Sequence, residues 1–211
     1  MPPLPAPSPD QPYMHVSALE AGTIQLPMDF IVQGAAHAYK RCPSLAFYLR
    51  HSASARDLVF DLGLRKDLGS YPPAVQAHYL DAHTGRMHCA VPQDAAESCV
   101  RGGVDPAKVE RVVISHLHFD HIGDHTPFSA ATFLIGGDGE ATLADGYPGN
   151  PAAFSLSASV PRERTLFLTR AAHLTARRTS PRRSARSRRR TTSSATAPRT
   201  SSTRRATARA T

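Results

Sequence analysis

Apolar and polar positions alternate over Thr23-Ile24-Gln25-Leu26 until Pro27 stops the pattern, which predicts a short strand. Ser44 to His51 mixes aromatic and aliphatic residues after Pro43 and predicts a second strand. Asp57-Leu58-Val59-Phe60-Asp61 predicts a third, and the polar stretch Ser52 to Arg56 makes a hairpin of the two. Tyr71 to Asp81 is expected to be helical, with Pro72 and Pro73 at the start, where a missing N–H costs little. A second helix is expected over Asp94 to Arg101, stopped by Gly102-Gly103. Asp105-Pro106 then opens a capped turn. It leads into Arg111-Val112-Val113-Ile114-Ser115, a nearly continuous apolar run of the kind that is covered on both faces. Thr132 to Ile135 predicts the next strand, closed by Gly136-Gly137. Phe47, Leu49, Val59, Val113 and Ile135 are candidates for one inner sheet face, and no partner layer for it is legible in the chain.

Both ends have a different texture. Met1 to Tyr13 holds six prolines and almost nothing to bury. Beyond about Ser159 the apolar pattern fails, and from Arg177 the chain is mostly Arg, Ser, Thr, Ala and Pro, which cannot offset chain entropy by burial. The expected organisation is a disordered lead over 1–15, a folded part over 16–160 and a low-complexity tail over 161–211. The abrupt change near residue 160 reads as a truncated or frame-shifted product, since a GC-rich coding region read out of frame gives the same repertoire.

Charge follows the same division. Residues 1–169 carry 12 Lys and Arg against 17 Asp and Glu, a net −5, whereas residues 170–211 carry 13 Arg and no acid. The overall +8 therefore belongs to the tail, and contact with nucleic acid is open to the tail alone. Cys42, Cys89 and Cys99 form no CxxC pair and are odd in number, which speaks for free thiols in a reducing compartment. The N-terminus has neither a basic n-region nor an apolar h-region, and no run of about 18 apolar residues could span a bilayer. A cytoplasmic, soluble protein is expected.

One segment carries chemistry: Ser115-His116-Leu117-His118-Phe119-Asp120-His121. In extended chain His116 and His118 point to the same side, so both can reach one ion. If the chain then tightens, Asp120 and His121 can serve a second ion nearby, and Gly123 leaves room for the turn. Imidazole nitrogen with carboxylate oxygen suits zinc at a hydrolytic site, where a two-metal arrangement generates hydroxide. The expected metal ligands are His116, His118, Asp120 and His121, and Asp120 is the candidate catalytic residue that orients the nucleophile. Asp124 and His125 are read as solvated loop residues, and His15, His37, His51, His78, His83 and His88 as surface or satisfied core positions.

The spacing His116-x-His118-x-Asp120-His121 resembles the metallo-β-lactamase superfamily. Leu58 to Asp67, Pro92 to Gly103 and Gly146-Tyr147-Pro148-Gly149-Asn150-Pro151 narrow the resemblance to fungal lactonase-like members, over about Ser17 to Phe154. The resemblance implies an α/β (α+β) fold, part of an αββα sandwich, with two zinc ions at one edge of the sheets. It implies hydrolysis of a small lactone, thioester or similar ester by metal-activated water. It also implies a third histidine, a bridging aspartate and a final histidine from later loops. After His125 the chain has one histidine, His173, and no Asp or Glu follows Glu163. The chain as written is therefore expected to bind metal weakly and to turn over poorly. A non-catalytic truncated product, or an anion- or nucleic-acid-binding protein acting through its basic tail, is the alternative.

Overall fold

The computed structural model describes residues 6–81 and 86–169. In chain order the elements are β1 (Met14–Leu19), β2 (Thr23–Pro27), α1 (Met28–Ile31), β3 (Tyr39–Pro43), β4 (Ala46–His51), β5 (Asp57–Phe60) and α2 (Pro73–Val75). They continue with β6 (His88–Ala90), α3 (Ala95–Arg101), β7 (Arg111–Val113), β8 (Thr132–Gly136), α4 (Gly139–Ala144) and β9 (Thr165–Leu168).

Six strands form one sheet in the order β1-β4-β5-β7-β8-β9, and β3-β2-β6 form a second. The expected hairpin is β4 and β5, paired antiparallel with Phe47 opposite Phe60. From β5 onward the sheet is parallel: β5 pairs β7, β7 pairs β8 and β8 pairs β9. Parallel neighbours need long crossovers, and the intervening segments carry α2, α3 and α4. This is the mixed α/β architecture that the sequence implies.

The two sheets share one core. Ile24 of β2 belongs to the same buried cluster as Val59, Val112, Phe133 and Ile135 of the larger sheet. The expectation of an inner face without a covering layer is thus overturned. Val59, Val112 and Phe133 are fully enclosed, and removing such side chains from water is the main stabilising term. The parity in β7 also differs, because Val112 is buried and Val113 is half-buried.

Other differences have local causes. The expected strand to Ser115 pairs only to Val113, because Ser115 turns to Asp61. The expected helix over Tyr71 to Asp81 is one turn of α2 followed by a wider turn, Gln76–Leu80, closed by Asp81 N–H to Gln76 O. α3 starts where expected, with Asp94 and Glu97 in a reciprocal capping box. The lead is expected to reach residue 15, yet β1 begins at Met14. The folded part is expected to end at 160, yet Pro161 to Leu168 add a turn and an edge strand. A four-residue edge strand is held by main-chain bonds and is too short to display a period. The tail from Arg170 on, with its expected nucleic-acid contact, and His173 and His83 lie outside the described residues.

Candidate metal centre

The loop after β7 is held through its backbone by three different parts of the chain. The Tyr71 hydroxyl donates to the Phe119 carbonyl at 2.7 Å and accepts from the Arg65 N–H at 2.8 Å. The Ser44 hydroxyl donates to the Asp120 carbonyl, and Leu62 N–H donates to the His121 carbonyl at 2.9 Å. Gly123 N–H donates to the Gly63 carbonyl at 2.9 Å. Leu117, Phe119 and Ile122 point into the core, which leaves the alternate positions His116 and His118 outside. The alternation of this segment therefore sorts anchors from candidate ligands.

The histidines gather. Ring centroids of His116 and His118 lie 4.6 Å apart, and those of His116 and His121 lie 4.1 Å apart. A carboxylate oxygen of Asp120 stands 3.6 Å from His121 Nε2. The four expected ligands are thus neighbours at the end of β7.

Behind them sits a residue that the sequence reading did not assign to the site. Asp61 is buried, with φ +57°, an uncommon conformation for a residue with a side chain. Its Oδ1 accepts the Ser115 N–H at 2.7 Å, and its Oδ2 accepts the Ser115 hydroxyl at 2.7 Å. Its Oδ2 also lies 2.7 Å from His121 Nδ1. The Ser115 oxygen lies 3.0 Å from His116 Nδ1. The Ser115 proton is already given to Asp61, so this oxygen acts as acceptor for His116 Nδ1–H. Nδ1 therefore carries the proton on both His116 and His121, and both Nε2 atoms are left to face outward. A carboxylate that fixes the tautomer in this way is a recurrent support of metal-bound histidine. The available signal was an acid closing an apolar strand just before a glycine, Phe60-Asp61-Leu62-Gly63.

The electrostatics divide the pair. Burial, and then the neighbouring His121 and His118, push the His116 pKa below its ordinary value, which keeps the ring in the neutral form that binds metal. The hydrogen bond that His121 Nδ1–H donates to the Asp61 carboxylate raises the pKa of His121. His125 is not among the gathered rings, since its Nε2 bonds the Ala158 carbonyl at 3.2 Å. Asp124 accepts from the Thr126 N–H and hydroxyl. Both are half-buried and not solvated as expected: Asp124 is held by Thr126, and among the described residues His125 Nδ1 is buried without a hydrogen-bond partner.

The donor types suit zinc. Among the described residues, no group of three or more His, Cys, Asp or Glu side chains stands in an arrangement that could hold a metal ion. Imidazole and carboxylate donors fit a metal chemically; what is missing among the described residues is their convergence on one point. Among the described residues, no helix is long and apolar enough to cross a membrane.

Residues 94–136 match the family model described as the metallo-beta-lactamase superfamily. The chain is 32% identical over 119 residues to the metallo-hydrolase mfmC of Annulohypoxylon moriforme, covering 56% of this chain and 31% of that protein. It is 35% identical over 100 residues to the gamma-lactamase FDB1 of Fusarium pseudograminearum, covering 46% of this chain and 24% of that protein. The cytochrome P450 monooxygenase mpaDE of Penicillium roqueforti shares 28% identity over 155 residues, 72% of this chain and 18% of that protein. The matched part is thus less than a third of each of these relatives. Among solved structures, AiiA of B. thuringiensis, with N-decanoyl-L-homoserine bound at its active site, superposes with a TM-score of 0.56 at 15% identity. That match covers 72% of this chain and 58% of AiiA. An N-acyl homoserine lactone hydrolase, with N-hexanoyl-L-homoserine at its catalytic metal center, gives 0.55 at 16% identity, covering 74% and 58%. At such identities these two likenesses concern the fold.

Proposed function

We propose that the chain is a lactonase-like member of the metallo-beta-lactamase superfamily, a reading supported by the family match over residues 94–136 and the likeness to a metallo-hydrolase, and that it is a zinc-dependent hydrolase of a small lactone or ester. The observation that carries the reading is the gathering of His116, His118, Asp120 and His121 at the end of β7, with Asp61 and Ser115 behind them. The relatives include one named a metallo-hydrolase and one named a gamma-lactamase, and the solved neighbours carry acyl-homoserine ligands.

In this reading His116 and His118 would hold one ion, and Asp120 and His121 a second. Zinc, when bound, supplies a water of lowered pKa and polarises the substrate carbonyl. Asp120 would orient the nucleophile or accept its proton. The Asp61–Ser115 pair keeps both Nδ1 atoms protonated, so that His116 and His121 present lone pairs outward. Leu117 and Phe119, anchored in the core, fix the spacing of the residues between them.

Occupancy is expected to be loose. A full ligand set supplies the binding free energy of such centres. The described donors stop short of that set. Three free thiols fit the cytoplasm as location.

The test is purification of the full 211-residue chain, zinc titration with metal analysis, and a screen of lactones and esters. Slow, metal-dependent hydrolysis that disappears in His118→Ala and in Asp120→Ala is expected. Two tightly held zinc ions with fast turnover would overturn the loose-occupancy part. No carbonyl hydrolysis at saturating zinc, or hydrolysis indifferent to both variants, would overturn the hydrolase reading.

A further inference from the structure

A cavity of about 370 Å³ opens beside the candidate metal loop. Its polar end is formed by His118 and Asp120, and most of the rest is apolar. Four of its walls are aromatic: Phe30, Tyr79, Phe119 and Phe154. They form an ordered set. Tyr79 stacks on Phe119, with centroids 5.2 Å apart and planes at 22°. Phe154 meets Tyr79 edge-on at 5.8 Å and 66°. Phe30 comes from α1, in which no residue is buried, and is about two-fifths exposed at the rim. Phe154 is similarly half-exposed.

These features have a chemical meaning. Large apolar side chains left half-exposed in a concave wall are uncommon unless something covers them. Pockets that hold small molecules run from roughly 300 Å³ upward, so this one suits a compact ligand. Ring faces and edges around one space favour a planar ring, which gains from stacked and edge-to-face contacts as well as from burial. Apart from His118 and Asp120, no wall residue carries a formal charge, and the nearby Arg86 lies over the rim ring of Phe30 at 4.8 Å, so a charged body deep in the cavity would lose its hydration without a partner there.

The geometry points to an uncharged aryl lactone as the substrate class, its fused aromatic ring against the wall that Tyr79 and Phe154 form together and its carbonyl toward His118 and Asp120. This rests on the hydrolase reading for the chemistry, but not for the binding. The ring is held by walls that need no metal.

The experiment compares two lactones with the same number of non-hydrogen atoms, the bicyclic dihydrocoumarin and the alkyl δ-nonalactone. Binding to the full chain is followed by NMR titration in EDTA, and hydrolysis is followed separately with zinc. Dihydrocoumarin should bind more tightly, by roughly three- to tenfold, the worth of one good aromatic contact. Phe154→Ala should erase most of that preference, and Phe154→Leu, which keeps apolar area without the ring, should erase it as well. Phe154 is half-exposed, so neither variant threatens the fold. Equal binding of the two lactones, or a preference that survives both variants, would overturn the proposal even if both lactones are hydrolysed. Preferential binding of dihydrocoumarin that Phe154→Ala abolishes, with no hydrolysis at saturating zinc, would sustain the pocket and remove the hydrolase reading instead.

Discussion

The carboxylate of Asp61 lies 2.7 Å from Nδ1 of His121, and the same oxygen accepts the hydroxyl proton of Ser115. One buried acid thereby sets the tautomer of His121 directly and that of His116 through Ser115. Asp61→Ala should weaken zinc binding by about 10- to 100-fold, the usual cost of losing such a support. Ser115→Ala should weaken it less, because only the His116 branch is cut. Chelator competition with zinc reads both effects. Equal affinity in wild type and Asp61→Ala would show that the two rings find their orientation elsewhere.

That pair also fixes a pH dependence in the metal-free protein. Asp61 raises the His121 pKa, so the folded state holds that proton more tightly than the unfolded state. The resulting stability is fully present below the ordinary imidazole value of about 6.5 and is lost as pH rises through the folded value. His116, lowered mainly by burial, acts in the opposite sense: its contribution is present above the ordinary value and lost as pH falls. Asp61→Asn removes the largest cause of the first effect, and by removing a smaller raising influence on His116 it slightly strengthens the second. In EDTA, the stability gap between wild type and Asp61→Asn should be widest in mildly acidic solution and should narrow as pH rises through neutrality. A gap that widens toward alkaline pH would contradict the assignment.

Sequence reading reached the metal loop, its strand, the β4–β5 hairpin and α3, because each has a local cause. β7 overlaps the apolar run Val112-Val113-Ile114, and α3 has its capping box written in Asp94 and Glu97. Asp61 and Ser115 escaped it because their roles exist only across 54 residues of separation. β9 escaped because an edge strand shows little pattern, and its Leu166 stays exposed. The aromatic cavity is assembled from α1, the turn after α2, the metal loop and Phe154, so no single window of sequence contains it.

The backbone anchors of the loop should be separable from its ligands. Ser44→Ala leaves the Asp120 carbonyl without its donor, and Tyr71→Phe does the same to the Phe119 carbonyl. Each should cost about 1 kcal/mol of stability, with Tyr71→Phe the larger because its hydroxyl also receives the Arg65 N–H. Hydrogen exchange should speed up at residues 119–123 in both variants while β8 stays protected. Uniform acceleration across the domain would mean that these bonds hold the fold as a whole and not the loop.

Gly123 tests whether the tight turn after the ligands is required. Its φ is +38°, and a Cβ there would run into the carbonyl and side chain of Leu62. Leu62 is itself buried and bonds the His121 carbonyl through its N–H, so it cannot yield without moving the site. Gly123 N–H holds the Gly63 carbonyl as well, which joins the turn to the segment beyond β5. Gly103 is a suitable control, because its φ of +78° is also left-handed but nothing lies within 4 Å of the added carbon. Gly103→Ala therefore bears only the conformational penalty, about 1–2 kcal/mol. Gly123→Ala bears that penalty and a clash with packed backbone, so its cost should exceed the control by roughly 1–3 kcal/mol, the usual range for overpacking. Urea unfolding of both variants measures the difference. If Gly123→Ala costs no more than Gly103→Ala, the turn has room to relax, and the approach of the metal loop to Leu62 is not what positions Asp120 and His121.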